Sequence, residues 1–98
     1  MIRVALTPVA EGDIAEALEW YAKESPVLAL DFLRCVEAAL AGIGRAPATF
    51  RSRPGGWRKA LLPRFPYAVF FRWPVPGERP VVIRVLHTRR DAPPLLRG

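Results

Sequence analysis

The chain has 98 residues, of which 51% are hydrophobic and 24% are charged, with a formal net charge of +6 at pH 7. This length predicts one domain over residues 1–98, and the apolar content argues against a disordered chain. No apolar run approaches the roughly 20 residues that a membrane-spanning helix needs, and the N-terminus lacks the long apolar stretch of a secretory signal. We therefore expect a cytoplasmic protein that does not act in a membrane.

The charge is divided unevenly along the chain. Residues 1–44 contain three Lys or Arg and seven Asp or Glu, a net charge of −4, whereas residues 45–98 contain twelve and two, a net charge of +10. This asymmetry indicates an anionic partner for the second half, either nucleic acid or an acidic protein segment. A basic surface that only keeps the protein soluble is the alternative.

The first half predicts a short strand followed by two helices. Residues 2–6 alternate apolar and polar side chains, as in a strand. Thr7 before Pro8 and Ser25 before Pro26 are signals for a helix N-cap and first turn. Apolar residues at helical spacing should form the two buried stripes, Ala10, Ile14, Ala17, Leu18 and Tyr21 in the first helix and Leu28, Phe32, Val36, Leu40 and Ile43 in the second. The short connection between the helices predicts an antiparallel hairpin.

After Gly44 the spacing of apolar residues changes from helical to alternating. Residues 57–62, 67–73 and 81–87 each predict a strand, and the Pro- and Gly-containing segments between them predict turns, with Gly77 at the last one. The resulting order is β-αα-β-β-β. It predicts an α+β fold in which a helical hairpin packs on a mainly antiparallel sheet.

Residue types needed for several common chemistries are missing. One His, one Cys and scattered carboxylates give no spacing for a metal site, and we expect no cofactor. Neither Ser25 nor Ser52 stands in a nucleophile elbow, and the PGG at 54–56 lacks the Lys and Ser or Thr of a phosphate-binding loop. These observations disfavour conventional hydrolase chemistry. Cys35 lies in an apolar helical stretch, which predicts a buried thiol.

The C-terminal sequence VLHTRRD, residues 85–91, holds the chain's one histidine, followed after Thr88 by two arginines. One interpretation is a catalytic base at His87, with Arg89 and Arg90 binding phosphate. The other is a polar residue at the end of a strand, with the arginines contacting a partner protein or pairing with nearby carboxylates. The residue types alone leave both interpretations open.

Four stretches together carry a family resemblance. They are LTPVAEGDIAEALEWY (6–21), LALDFLRCVEAALAGI (28–43), RKALLPRFPYAVFFR (58–72) and VLHTRRD (85–91). In this order they resemble the ParE/RelE superfamily of toxins from bacterial type II toxin–antitoxin systems, and the resemblance covers nearly the whole chain. The strand FPYAVFF and the closing HTRRD are most similar to the ParE branch, also called plasmid-stabilisation proteins.

This resemblance implies a basic toxin that is neutralised by direct binding of a cognate antitoxin protein. The antitoxin would carry any sequence-specific DNA binding, and the complex would repress its own operon. An acidic, amphipathic antitoxin tail would recognise the basic second half by charge. Trp20 and Trp57 are candidates for apolar contacts with that tail, although either residue could belong to the core.

Two toxic activities are known on this fold. ParE-like members inhibit DNA gyrase, and RelE-like members cleave messenger RNA on the ribosome. The nucleases place an arginine on a central strand and a histidine or tyrosine near the C-terminus to act on the scissile phosphate. His87 matches that histidine. The next position, which is often tyrosine in the nucleases, is Thr88 here, and Pro66 occupies the position of the strand arginine.

The incomplete nuclease residues make an enzyme the less favoured interpretation, and we expect a growth-inhibiting toxin that acts on DNA gyrase. A ribosome-dependent messenger RNA endonuclease with His87 as its catalytic residue is the alternative. A third is a weakly toxic module that serves operon regulation or plasmid maintenance. The residues expected to bind the target or the antitoxin are Arg58, Arg64, Arg84, Arg89, Arg90 and Tyr67.

Overall fold

The computed structural model of the chain describes residues 3–89. Its elements follow the predicted order β-αα-β-β-β, with one additional 3-10 helix. They are β1 (Ala5–Leu6), α1 (Pro8–Glu24), α2 (Pro26–Arg45), the 3-10 helix (Pro47–Thr49), β2 (Trp57–Leu61), β3 (Tyr67–Arg72) and β4 (Val81–His87). Neither α1 nor α2 combines the length and the apolar content that a membrane-crossing helix requires.

The four strands form one sheet in the order β1-β4-β3-β2. β3 is antiparallel to both β2 and β4, whereas β1 pairs in parallel with β4. The predicted α+β fold with a mainly antiparallel sheet is therefore confirmed. β2 lies at one edge of the sheet, and β1 lies at the other.

The helical hairpin forms because two residues cap its helices. The Thr7 hydroxyl accepts a hydrogen bond of 3.1 Å from the Ala10 backbone N–H at the start of α1. Ser25 ends α1, where its N–H donates to the Tyr21 carbonyl at 2.9 Å, and also starts α2, where its hydroxyl accepts from the Val27 N–H at 3.2 Å. Since one residue closes the first helix and opens the second, the chain reverses direction within a single turn.

The core lies between the hairpin and one face of the sheet. The predicted stripe of the first helix points into it, as does that of the second apart from Leu28, and Val69, Phe71, Val82 and Val85 of β3 and β4 complete it. The largest of its fully buried side chains are Phe32, Val36, Ile43, Val69, Phe71, Val82 and Val85. The Cys35 thiol is buried as well, as its sequence context predicts.

Two local features differ from the sequence-based predictions. Of the predicted strand 2–6, the described part pairs only at Ala5 and Leu6, and the strand ends there because Thr7 caps α1. The 3-10 helix that begins at Pro47 has no counterpart in the sequence-based prediction, since its single turn is too short to show a periodic pattern.

Asp13 joins α1 to the part of β4 that lies beyond β1. Its carboxylate accepts hydrogen bonds from Arg84 Nε at 2.8 Å, from Arg84 Nη2 at 3.0 Å and from the Val85 backbone N–H at 2.9 Å. The hydrogen bond with Asp13 raises the pKa of the Arg84 guanidinium, a group that is charged at neutral pH in any setting. Within residues 3–89 this is the one ion pair.

We expect Asp13→Ala to destabilise the fold by roughly 2 kcal/mol, because it leaves a partly buried guanidinium and a backbone N–H without their acceptor. The melting temperature should fall by on the order of 10 °C in a domain of this size. Thermal unfolding followed by circular dichroism measures the change. Glu19→Ala on the exposed side of the same helix is the control and should leave the melting temperature nearly unchanged. Equal melting temperatures for the two variants would contradict the role given to Asp13.

Candidate functional site

A groove of about 630 Å³ runs between α1 and the end of β4. Its walls come from one side of α1, from the start of β3, from the last residues of β4 and from the turn that follows. The lining residues are Asp13, Glu16, Ala17, Glu19, Trp20, Tyr21, Lys23, Tyr67, Val85, His87 and Arg89. Asp13, one of these lining residues, holds α1 beside β4 through its hydrogen bonds to Arg84 and Val85.

His87 and Tyr67 lie next to each other on the adjacent strands β4 and β3, where both line the groove. His87 is the last residue of β4 and pairs in register with Tyr67, the first residue of β3. Their rings are 5.3 Å apart and approach edge to face. The Nδ1 atom of His87 accepts a hydrogen bond of 3.2 Å from the Arg89 backbone N–H, which places the ring proton on Nε2.

The contact between Tyr67 and His87 lies in a well-defined part of the sheet. Both rings are half-buried, and the turn after His87 is fixed by a 2.8 Å hydrogen bond from the Thr88 N–H to the Pro66 carbonyl. This arrangement gives the end of β4 a defined shape. It supplies one imidazole and one phenol, the polar groups on which a chemical role in the groove would depend.

Tyr21 extends this aromatic floor toward the core. Its ring lies 6.2 Å from the Tyr67 ring and 5.2 Å from the Phe32 ring. Burial, and to a smaller degree the neighbouring Tyr67, raises the pKa of the Tyr21 phenol. The Tyr21 ring packs against Phe32, Phe65 and Tyr67.

Carboxylates outnumber fixed cations along the groove. Asp13, Glu16 and Glu19 line it from α1, against Lys23 on the same helix and Arg89 after β4. The charge of Asp13 is neutralised by Arg84, which leaves two exposed carboxylates facing two exposed cations. A phosphate that approached His87 would thus meet a mixed field in place of a strongly positive one.

The arginines expected to bind a partner lie in different places. Arg89 lines the groove, and Arg84 lies beside it with its guanidinium bound to Asp13. Arg64, with a positive φ of 65°, follows β2 and approaches the Cys35 sulfur at 3.6 Å. Arg58 belongs to β2, on the far side of β3 from the groove.

Arg58 is held by two contacts within the described chain. Its Nη1 donates to the Phe50 carbonyl at 2.5 Å, and its guanidinium lies 5.5 Å from the centre of the Trp73 ring. The structure thus brings Tyr67, His87 and Arg89 together, and places Arg58 and Arg64 elsewhere. Arg90, which is also expected to bind a partner, lies outside the described residues.

No arginine of β3 reaches the histidine. Pro66 is exposed immediately before β3, and its ring offers no cation and no N–H donor. Arg72 ends the strand opposite Val81, five residues from the Tyr67 and His87 pair, and its guanidinium donates to the Gly55 carbonyl. The strand cation that the nuclease interpretation needs is therefore missing from β3.

Sequence reasoning missed the contribution of α1 to this site. Asp13, Glu16 and Lys23 line the groove. In the sequence they look like the charged residues of any solvent-exposed helix face, so nothing in it marks them as part of a site. Trp20, a candidate for contact with a partner, is 63% exposed and lines the groove. Trp20 does not belong to the apolar stripe of α1, and this is the sequence feature that predicts an exposed side chain.

The fold and its groove define a class of small α+β proteins in which a helical hairpin covers an antiparallel sheet. A family model described as the ParE toxin of the type II toxin–antitoxin system parDE matches residues 4–92. The chain belongs to this family of ParE toxins.

One solved structure that resembles the chain is described as a chromosomal ParDE TA system from P. aeruginosa. It superposes with a TM-score of 0.75 at 22% sequence identity, and the match covers 91% of this chain and 98% of that one. At this identity the likeness establishes the fold. No curated protein sequence matches the chain at a significant level.

The raised pKa of Tyr21 predicts an alkaline limit to stability. A folded pKa above the unfolded value means that neutral Tyr21 stabilises the fold at lower pH, and that this contribution is lost as the pH rises through the folded pKa. In a Tyr67→Phe variant, phenolate absorbance reports Tyr21 alone and should titrate with a midpoint above 10.0. The same variant unfolded in urea is the control. Identical midpoints in the two states would contradict the burial of this phenol.

Proposed function

We propose that this ParE-family chain is a growth-inhibiting toxin that acts on DNA gyrase by protein binding and that a cognate antitoxin neutralises it by direct contact. The observation that carries the choice of target is the setting of His87. It has a tyrosine beside it, but none of the arginines on β3 and β4 is free to bind phosphate there.

The reaction of a messenger RNA endonuclease explains why this matters. Cleavage builds additional negative charge on a phosphate, and the enzyme must place cations or hydrogen-bond donors around it. On β4, Arg84 is already bound in two hydrogen bonds to Asp13. Arg72 lies at the opposite end of β3. Arg89 and Lys23 remain, and Glu16 and Glu19 offset their charge.

The aromatic pair of His87 and Tyr67 is the observation that favours the competing nuclease function. The imidazole and the phenol lie 5.3 Å apart between ring centres, close enough for both to contact one nucleotide. Membership in the ParE family, together with the missing strand arginine, supports the gyrase proposal over this alternative.

Exposed apolar side chains support binding to another protein. Trp20 at the end of α1 is 63% exposed, and Val27 and Leu30 at the start of α2 are 69% and 47% exposed. Such side chains around one end of the helical hairpin are suited to a contact that excludes water. The antitoxin and the gyrase target are the two partners for which this end of the hairpin would be available.

Growth arrest after induced expression separates the two functions. We expect His87→Ala to keep at least about half of the growth inhibition, since protein binding does not require the imidazole to transfer a proton. We expect Arg89→Ala to weaken inhibition about tenfold or more, measured as the inducer concentration that halves growth, because it removes an exposed cation beside the groove. Arg34→Ala, an exposed cation on α2, is the matched control and should have no effect.

The opposite pattern would contradict the gyrase proposal. If His87→Ala abolishes growth arrest while the purified variant still folds and binds the antitoxin, the histidine acts in catalysis. Mapping the 5′ ends of cellular messenger RNA after induction would then reveal cleavage within codons, whereas a gyrase inhibitor leaves those ends unchanged.

A further inference from the structure

The face of the sheet that points away from the helices carries a second apolar cluster. It consists of the buried residues Ala68, Phe70 and Leu86, with Trp57 and Ile83 packed against them. Successive residues of a strand point to opposite faces of a sheet, and the alternate residues of β3 pack with both helices in the main core. The second cluster therefore belongs to the opposite side of the sheet, which we call the outer face.

Ala68 and Leu86 are buried more deeply than an uncovered sheet face allows. They pair with each other on β3 and β4, and they are only 2% and 5% exposed in the single chain. Leu61, the next residue across on β2, is 64% exposed. A sheet face without a second layer is normally solvated. A covering group from the same chain thus lies over Ala68 and Leu86 and leaves Leu61 largely open.

The apolar side chains of residues 3–89 that pack on this cluster do not account for that cover. The Trp57 ring lies 5.4 Å from the Phe70 ring and shields it. Trp57 begins β2, however, whereas the residue of β2 that pairs with Ala68 ends it, so roughly 13 Å separates the two positions. Ile83 belongs to the same strand as Leu86 and lies beside that residue, not over it.

Two stretches of the chain lie outside the described residues, and one of them begins close to this pair. Residues 1–2 precede β1, which pairs with β4 at Val81 and Val82, far from Leu86. Residues 90–98 begin four positions after Leu86, beyond a turn at 88–89. Six residues of extended chain reach about 20 Å, and neighbouring strands are only about 4.8 Å apart. A segment that turns back after Arg89 can therefore cross both β4 and β3.

The composition of residues 90–98, RDAPPLLRG, suits an apolar surface. Five consecutive apolar residues, 92–96, stand between Asp91 and Arg97. The two prolines restrict the backbone before folding, which lowers the entropy lost when the segment becomes ordered. Because proline has no N–H group, this stretch is suited to packing through its side chains and not to hydrogen bonding as another strand.

We propose that residues 92–96 lie across the outer face of the sheet as a strap, with Leu95 and Leu96 covering Ala68 and Leu86. The strap closes the side of the sheet that α1 and α2 leave open. It also connects the two faces of the molecule, since the chain passes from Arg89 in the groove to the strap within three residues. This role is independent of the toxin's target and of its antitoxin.

Nuclear Overhauser contacts in the full-length toxin, labelled at its methyl groups, test this placement directly. We expect cross-peaks from the Leu95 or Leu96 methyls to the methyls of Ala68 and Leu86. The methyls of Val75, which is 48% exposed on the connection between β3 and β4, are the reference and should show none. A sample that mixes two differently labelled copies should show no cross-peaks between copies, because the strap covers its own sheet.

A variant with Leu95→Asp and Leu96→Asp tests whether the contact stabilises the fold. Its melting temperature should fall by about 5 °C or more, because two buried apolar side chains are lost. The methyl shifts of Ala68 and Leu86 should change, whereas those of Val85 in the main core should not. Val75→Asp makes the same kind of change at an exposed site and should leave the melting temperature nearly unchanged.

Two results of the contact measurement would overturn the proposal. Cross-peaks from Leu95 and Leu96 that avoid the outer face would place the segment elsewhere, and their complete absence would show that it does not pack. Cross-peaks seen only between differently labelled copies would assign the cover to a second copy of the chain. Equal melting temperatures for the double variant and for Val75→Asp would also overturn it. If the double variant fails to fold, the contacts in the unaltered chain still decide.

Discussion

The Asp13 carboxylate accepts three hydrogen bonds from β4, two from the Arg84 guanidinium and one from the Val85 backbone. β1 pairs with β4 only at Val81 and Val82, so the remaining length of β4 would otherwise present an unpaired edge. Asp13 fills part of that edge with a helix side chain. The position of α1 over the sheet, and with it one wall of the groove, depends on this contact.

Thr7 strengthens the same connection at the beginning of α1. Its N–H donates to the Val82 carbonyl at 3.0 Å, and its hydroxyl donates to the Ile83 carbonyl at 3.2 Å while also capping the helix. The polar contacts of Thr7 and Asp13 thus fix one end of α1 to β4. The groove in which Tyr67, His87 and Arg89 meet is lined by later residues of the same helix.

The groove and the edge strand β2 lie in different parts of the sheet and differ in charge. The groove lies at the end of β4, where α1 contributes carboxylates to its wall. The outer edge of β2 lies on the far side of β3, in a segment without any carboxylate.

The elements of the fold follow from local sequence, whereas the site does not. Thr7-Pro8 and Ser25-Pro26 specify the helix starts within a few residues, and alternation specifies the strands. The Asp13 contact joins residues 71 positions apart, so no local pattern could reveal it. Arg84 illustrates the consequence: by sequence it resembles the other basic residues of the second half, yet the structure commits it to Asp13. The roles expected for His87, Arg58, Arg64 and Arg89 in binding or catalysis stay predictions, because their geometry is compatible with more than one partner.

A cleavage assay with purified gyrase and supercoiled plasmid tests the proposed activity most directly. The toxin should cause linear DNA with covalently attached gyrase to accumulate, and prior addition of the antitoxin should suppress it. The contradicting result is plasmid supercoiling that continues unchanged at toxin concentrations that cleave messenger RNA on purified translating ribosomes.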